Sequence, residues 1–148
     1  MIESLHRYRA LAAADRALVL EAAMLLAMVR LGIVGARVSA LRHALDRWVR
    51  RSARMPSKAA PRDVSRVAWS VAAVSRRLPF RSTCLVESLA VDAMLRRRGV
   101  PCEIRFGVRP PEGGTLSAHA WVEHDGAVVF GARPDLSEYS VLVPQDAR

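Results

Sequence analysis

A chain of 148 residues is long enough to bury a real core and, by the usual size of domains, forms a single one. Its apolar fraction of 51% is ordinary for a globular protein and its aromatic fraction of 5% is low. Its two cysteines are too few for a disulfide scaffold and fit no metal-binding spacing. The net charge is +9, from 23 basic against 14 acidic residues, and every basic residue but Lys58 is an arginine. That surplus favours anionic partners, although a GC-rich coding sequence also raises arginine without functional meaning.

The N-terminus carries Glu3, and the apolar stretch beyond it is interrupted by Asp15 and Glu21 with no cleavage site, unlike a secretory signal. The longest apolar run, Ala22 to Val29, is far short of a membrane span. These features predict a cytoplasmic protein without a transmembrane segment, in which the cysteines stay reduced.

In chain order, residues 3–12 read as a short amphipathic lead-in helix. Asp15 is an N-cap or first-turn acid for a second helix over 16–31. The apolar residues of that helix cover more than one stripe, so it is buried or docked against something else. Gly32 and Gly35 are expected to break it. A third helix spans 37–51, with Val38, Leu41, Leu45, Trp48 and Val49 at helical spacing. Its other face holds Arg37, Arg42, Arg47, Arg50 and Arg51, read as a solvated face or a docking surface for an acidic partner. A loop over 55–61 precedes a fourth helix, which begins at Pro61 or Arg62 and is ended by Pro79.

A fifth helix follows, capped by Ser82 or Thr83. It closes at Arg96-Arg97-Arg98-Gly99, with cations in the last turn and glycine just beyond, and Pro101 prevents continuation. From Cys102 the period changes to two. Strands are predicted over 102–108, 116–124 and 127–131, with a last short one over 139–143. Arg109 to Gly114 is a loop, and Asp125-Gly126 marks a hairpin. Helices first and a small antiparallel sheet after give an α+β fold.

Two residues stand out for chemistry. Cys84 falls in the first turn of the fifth helix, where free amide N–H groups and the positive dipole end favour a thiolate and can hold an oxyanion. Packing as a small buried hydrophobe is the competing reading. His119 lies on a strand whose alternation puts Ser117, His119, Trp121 and Glu123 on one face, a setting suited to a general base beside an indole. A helix-borne thiol facing a strand histidine is the working pair of papain-like and transglutaminase-like cysteine enzymes.

The residues around both positions resemble the transglutaminase-like fold, and within it the leader peptidase of lasso-peptide biosynthesis. The similar segments are Cys84-Leu85-Val86-Glu87-Ser88-Leu89-Ala90 and Ser117-Ala118-His119-Ala120-Trp121-Val122-Glu123 with Asp125-Gly126 following, together with Arg97-Arg98-Gly99-Val100-Pro101. The resemblance runs from about Arg62 to Val143. It implies a single domain made of a helical extension (1–60) and a catalytic core (61–148), with Cys84 as nucleophile and His119 as its base. The reaction it implies is cleavage of the leader from a ribosomally made precursor peptide. The partners it implies are that precursor, a separate leader-recognition protein and a macrolactam-forming cyclase. No nucleic acid and no cofactor bound by this chain are expected, and any dependence on ATP would enter through partner proteins.

The family also has an Asp on the strand after the His, and this sequence departs from that pattern. With a three-residue loop at the hairpin Gly131 lies opposite His119, and with a two-residue turn Ala132 does; neither is acidic. Asp135, a few residues on, is the candidate third member. Glu123 shares the histidine's face, Asp125 is needed for the turn, and a carbonyl or a water can also orient an imidazole. Two other readings keep the fold: a transamidase or acyltransferase in which an amine replaces water, and an inactive peptide-binding member.

Overall fold

The computed structural model of the chain describes residues 11–35, 38–52, 61–79, 82–110 and 116–142. Four helices come first: α1 (Ala13–Gly35), α2 (Val38–Ser52), α3 (Pro61–Ser75) and α4 (Cys84–Arg97). Four strands follow: β1 (Glu103–Arg109), β2 (Ser117–His124), β3 (Ala127–Phe130) and β4 (Ser140–Leu142), with a 3-10 turn at Leu136–Glu138 before the last. The sheet is antiparallel with strand order β3-β2-β1-β4. The α+β class read from the sequence, helices before strands, is the observed one. The lead-in helix expected over 3–12 lies largely outside the described residues, as do most of the loops around 55–60 and 111–114; Leu11 and Ala12 are not helical.

α1 begins earlier than expected and runs through Gly32 to Gly35. Glycine inside a helix costs about 1 kcal/mol relative to alanine. Ile33, packed on the core just beyond Gly32, helps to offset that cost. Asp15 sits in the first turn and accepts from Arg66 Nε of α3 at 2.9 Å, so the first-turn acid also ties two helices.

α4 is the hub of the molecule. It packs against α1, α2 and α3 on one side and against β1 and β2 on the other. Leu25, Leu26 and Val29 of α1, Val67 and Val71 of α3, Val86, Val91, Met94 and Leu95 of α4 and Val122 of β2 form one continuous core. The N-terminal helices therefore share the core of the later segments. Both ends of α4 are fixed. Thr83, in extended conformation, accepts the Val86 N–H on its Oγ1 at 3.4 Å. At the other end Gly99 is left-handed (φ 73°); its N–H reaches the Arg96 carbonyl at 3.0 Å and that of Val100 reaches Leu95 at 3.1 Å. Those two bonds make a Schellman motif, available to glycine without a Cβ penalty.

The arginines of that last turn do more than complement the dipole. Arg97 and Arg98 both bond Glu21 of α1, Arg97 lies 4.4 Å from the centre of the Trp48 ring of α2, and Arg96 reaches Asp46 of α2. Arg47, Arg50 and Arg51 of α2 remain exposed, as a solvated face would be.

In the sheet, Asp125 (φ 50°) and Gly126 (φ 76°) form the two-residue hairpin turn with both centres left-handed. His124 pairs with Ala127 and Glu123 with Val128, but Val122 pairs with Phe130, leaving Val129 as an extra residue in a bulge. β3 then stops. Gly131 (φ 80°) turns the chain away, and the edge of β2 from Ser117 to Trp121 has no strand beside it among the described residues.

The two faces of α1 are expected to respond differently to truncation. Leu26→Ala, in the core, should cost about 2–5 kcal/mol in urea denaturation, whereas Leu20→Ala, in solvent, should stay within about 0.5 kcal/mol. Equal losses would mean that the helix is rotated in solution.

Candidate active site

Cys84 is the first residue of α4 and is half-buried. Thr83 serves the first turn twice, its side chain taking the Val86 N–H and its carbonyl taking the Glu87 N–H at 3.1 Å. The amides of Cys84 and Leu85 are left without an intrahelical acceptor, as the opening of any helix requires. One turn further, Glu87 accepts a short hydrogen bond from Ser75 Oγ, which ties this end of α4 to the end of α3.

Ser88 makes the link to the sheet. It is fully buried, and its hydroxyl donates to the Ala120 carbonyl at 3.1 Å. Gly131 lies beside the same carbonyl: a Cβ placed on it would stand 3.0 Å from that oxygen and 3.0 Å from the Trp121 Cβ. The Ala120 carbonyl therefore points to the open edge of β2, where β3 has already ended. Ser88 takes the place of a strand there. Cys84 and Ser88 are four residues apart on one helical face, so the thiol lies one turn, about 6 Å, before this tie along the axis of α4.

His119 is next to Ala120 and opposite Gly107 in the register of β1 and β2. Its ring stacks on Trp121 (centroids 6.1 Å apart, planes at 19°) and meets Tyr139 at 5.8 Å and 55°. Gly107 is required under these rings, because a Cβ there would come within 2.9 Å of both Trp121 Cζ3 and Tyr139 Cβ. The face expected to hold a histidine beside an indole is in fact a small second core, with Trp121 only 3% exposed. Tyr139 closes it and is itself held by a 2.9 Å hydrogen bond between its hydroxyl and Ser117 Oγ.

The imidazole is oriented by backbone. His119 Nε2 lies 2.8 Å from the Gly131 carbonyl oxygen. A carbonyl can only accept, so the hydrogen is on Nε2, and in the neutral ring Nδ1 is left as the proton acceptor. Neither spacing considered from sequence is the observed one. The two-residue turn is present, but the bulge at Val129 shifts the register and sets Gly131 against Trp121, from where its carbonyl reaches the histidine.

Asp135 is placed differently from the third-member role expected of it. Its carboxylate receives Arg133 Nε at 2.8 Å, Arg133 Nη2 at 3.1 Å and Arg109 Nη1 at 3.1 Å. The Arg133 hydrogen bond is the first cause holding its carboxyl below the usual range. Arg109 and Arg133 both lie over the Tyr139 ring, at 5.5 and 5.9 Å, so Asp135 braces the loop that carries Gly131. The loop that carries Gly131 therefore borders the histidine.

Glu123 accepts from Trp121 Nε1 at 2.8 Å and from Arg105 Nε at 3.1 Å, which fixes the indole under the histidine. Asp125 stays in the hairpin turn at the far end of β2. Cys102 is kept as a thiol: burial first, then the neighbouring Asp92 carboxylate, which it meets at 3.4 Å, pushes its ionisation far up. A hollow lined by Leu11, Asp15, Arg66 and Trp69 shares no residue with this site. Among the described residues no group of three or more His, Cys, Asp or Glu side chains could hold a metal ion, and no helix is long and apolar enough to cross a membrane.

This layout, with a cysteine opening a central helix and a histidine on the sheet it packs against, agrees with a family match. Residues 25–144 match the family model described as the transglutaminase-like superfamily. The chain belongs to that superfamily. The match begins within α1 and takes in α2, so it reaches farther toward the N-terminus than the resemblance from Arg62 to Val143. Comparison with curated proteins and with solved structures finds no match.

Sequence reasoning singled out Cys84 and His119 but not the polar ties around them. Ser88 lies inside the cysteine segment, one turn from Cys84, and a serine among apolar helix positions was the available signal. Nothing in residue type marks the Gly131 carbonyl as a partner for His119.

Two outcomes follow for a membrane-permeant alkylating agent and for acid. At near-neutral pH, Cys84 should be modified and Cys102 should resist; equal rates, read by peptide mass spectrometry, would mean that the Cys102–Asp92 contact does not persist. For Glu123, the Trp121 hydrogen bond, aided by Arg105 and opposed by burial, lowers the folded-state value below the ordinary 4.5. Its stabilising effect is therefore present above the ordinary range and lost as pH falls through the folded value. The stability difference between wild type and Glu123→Gln should be largest near neutrality and should shrink below about pH 4. A difference independent of pH would show that the charge is not involved.

Proposed function

We propose that the chain is a cysteine peptidase with Cys84 as nucleophile and His119 as general base, acting on the leader of a ribosomally made precursor in lasso-peptide maturation. The observation that carries the chemistry is the Nε2–Gly131 contact. It leaves Nδ1 as the acceptor in the neutral ring. The Gly131 carbonyl then acts as the third member, and Asp135 acts one step removed, by bracing the loop through Arg109 and Arg133.

In the reaction, His119 Nδ1 takes the Cys84 proton as sulfur attacks the scissile carbonyl. The Cys84 and Leu85 amides are the groups available for the oxyanion. Collapse of the tetrahedral adduct breaks the C–N bond, and the imidazolium gives its proton to the departing amine, leaving a thioester. Water, deprotonated by the same nitrogen, then releases the acid and the free thiol. A neutral carbonyl orients the imidazole without adding a negative charge behind it, so positioning is its main contribution.

The substrate class rests on the resemblance of the Cys84–Ala90 and Ser117–Glu123 segments to the leader peptidase, and on superfamily membership for the fold. A separate recognition protein would present the leader, and a cyclase would close the macrolactam on the released core.

Leader release from the genomically neighbouring precursor, with its recognition protein present, tests this by mass spectrometry. Cleavage should vanish in Cys84→Ala and His119→Ala. Gly131→Ala places a methyl 3.0 Å from the Ala120 carbonyl at a left-handed φ, and should lower kcat about 10- to 100-fold with little change in KM. Cleavage surviving Cys84→Ala would remove the nucleophile assignment. Transfer to an added amine in preference to water would make the enzyme a transamidase. Peptide binding without cleavage in the wild type would favour an inactive binding member.

A further inference from the structure

α1 has two apolar faces, and among the described residues only one is covered. Its inner face supplies Leu18, Ala22, Leu25, Leu26 and Val29 to the core. On the opposite side Ala13, Ala17, Leu20, Met24, Ala27 and Leu31 form a second row, with Leu20 60%, Met24 47% and Leu31 72% exposed. Scattered exposed leucines need no explanation, but an aligned row with no charge within it does.

The spacing of the row is informative. Its members alternate four and three residues apart, the repeat of the a and d positions in a coiled coil, over a length of about 27 Å. In that register the residues just before each a position are Arg16, Ala23 and Arg30, and those just after each d position are Ala14, Glu21 and Met28. Arg16 and Arg30 make no ion pair among the described residues. Glu21 is already taken by Arg97 and Arg98. The seam is thus flanked by positive charge on one side and by a neutralised cluster on the other.

We propose that this face of α1 docks an amphipathic helix of a partner protein that carries acidic residues beside its apolar seam. A row of period 3.5 is narrow and suits one helix, whereas helices that lie on membranes use a broad apolar face with aromatic anchors. A second copy of this chain is disfavoured. In parallel pairing Arg16 would meet a Glu21 that already holds two arginines, in antiparallel pairing it would meet arginine, and each copy brings +9. The inference does not depend on the peptidase reading.

The test uses the full chain and two labelled synthetic helices with leucine at a and d, one with glutamate and one with lysine at e and g. Fluorescence anisotropy should show saturable binding of the glutamate helix and about tenfold or weaker binding of its lysine twin. Leu20→Gln combined with Leu31→Gln should weaken the glutamate helix about tenfold with the thermal midpoint unchanged, since both side chains are exposed. Arg16→Glu with Arg30→Glu should reverse the preference between the two peptides. Equal binding of both helices, or saturable binding of neither, overturns the proposal. So does a dimer in sedimentation that the leucine double variant dissolves, which assigns the face to a second copy. Binding to phosphatidylglycerol vesicles in place of either peptide assigns it to a membrane and likewise overturns the proposal.

Discussion

The hydrogen bond from Ser88 to the Ala120 carbonyl is the contact on which the rest of the site depends. A strand edge buried without a neighbour would leave a carbonyl unsatisfied, at a cost of about 1–3 kcal/mol. β3 ends at Phe130, and the helix supplies the missing donor. This bond ties the early turns of α4 to the edge of β2 beside the Gly131 loop. Had β3 continued, its backbone would occupy that edge and the helix would have to lie elsewhere. The early end of one strand and the depth of one helix are therefore a single feature.

Around that contact the molecule is held by unlike means on its two sides. The helical side is apolar, and its polar ties are concentrated at the ends of α4: Thr83 and Ser75 at the start, and three arginines on Glu21, Asp46 and Trp48 at the finish. The far side of the sheet uses rings and charge together. Trp121, Tyr139 and His119 stack above Gly107, Glu123 holds the indole, and Arg109, Arg133, Asp135 and Glu138 form a mutually neutral rim. Individually exposed ion pairs of this kind add little to stability, but a connected set fixes the geometry of the loop it surrounds.

Most of the architecture was legible in the sequence because punctuation is strong where elements change. Gly99, Pro101 and Asp125-Gly126 each end or reverse a segment for a local steric reason, whereas α3 already stops at Ser75, ahead of the Pro79 expected to end it. What was not legible depends on neighbours that no local pattern names. Val128-Val129-Phe130 reads as continuous strand, and only the register with Val122 shows the bulge. α1 carries a core row and an outer row in one run of leucine, alanine and methionine, so its periodicity was masked until burial separated them. Gly32 looked like a helix breaker because the packing of Ile33 could not be foreseen. Cys84 and His119 stand out as candidates because side-chain chemistry is written in the residue type, whereas the group on Nε2 of His119 is a peptide carbonyl, which every residue possesses.

That last point bears on how such a protein is recognised and how it can change over time. On the proposed reading, a third member drawn from the main chain leaves no letter in a motif, so a survey that requires an acid would discard this sequence as a degenerate relative. It also cannot be deleted by a side-chain replacement. What inheritance would then have to preserve is a conformation, the left-handed turn at Gly131 beside a shortened strand, so that drift at this position would be limited by backbone shape and not by the chemistry of a functional group.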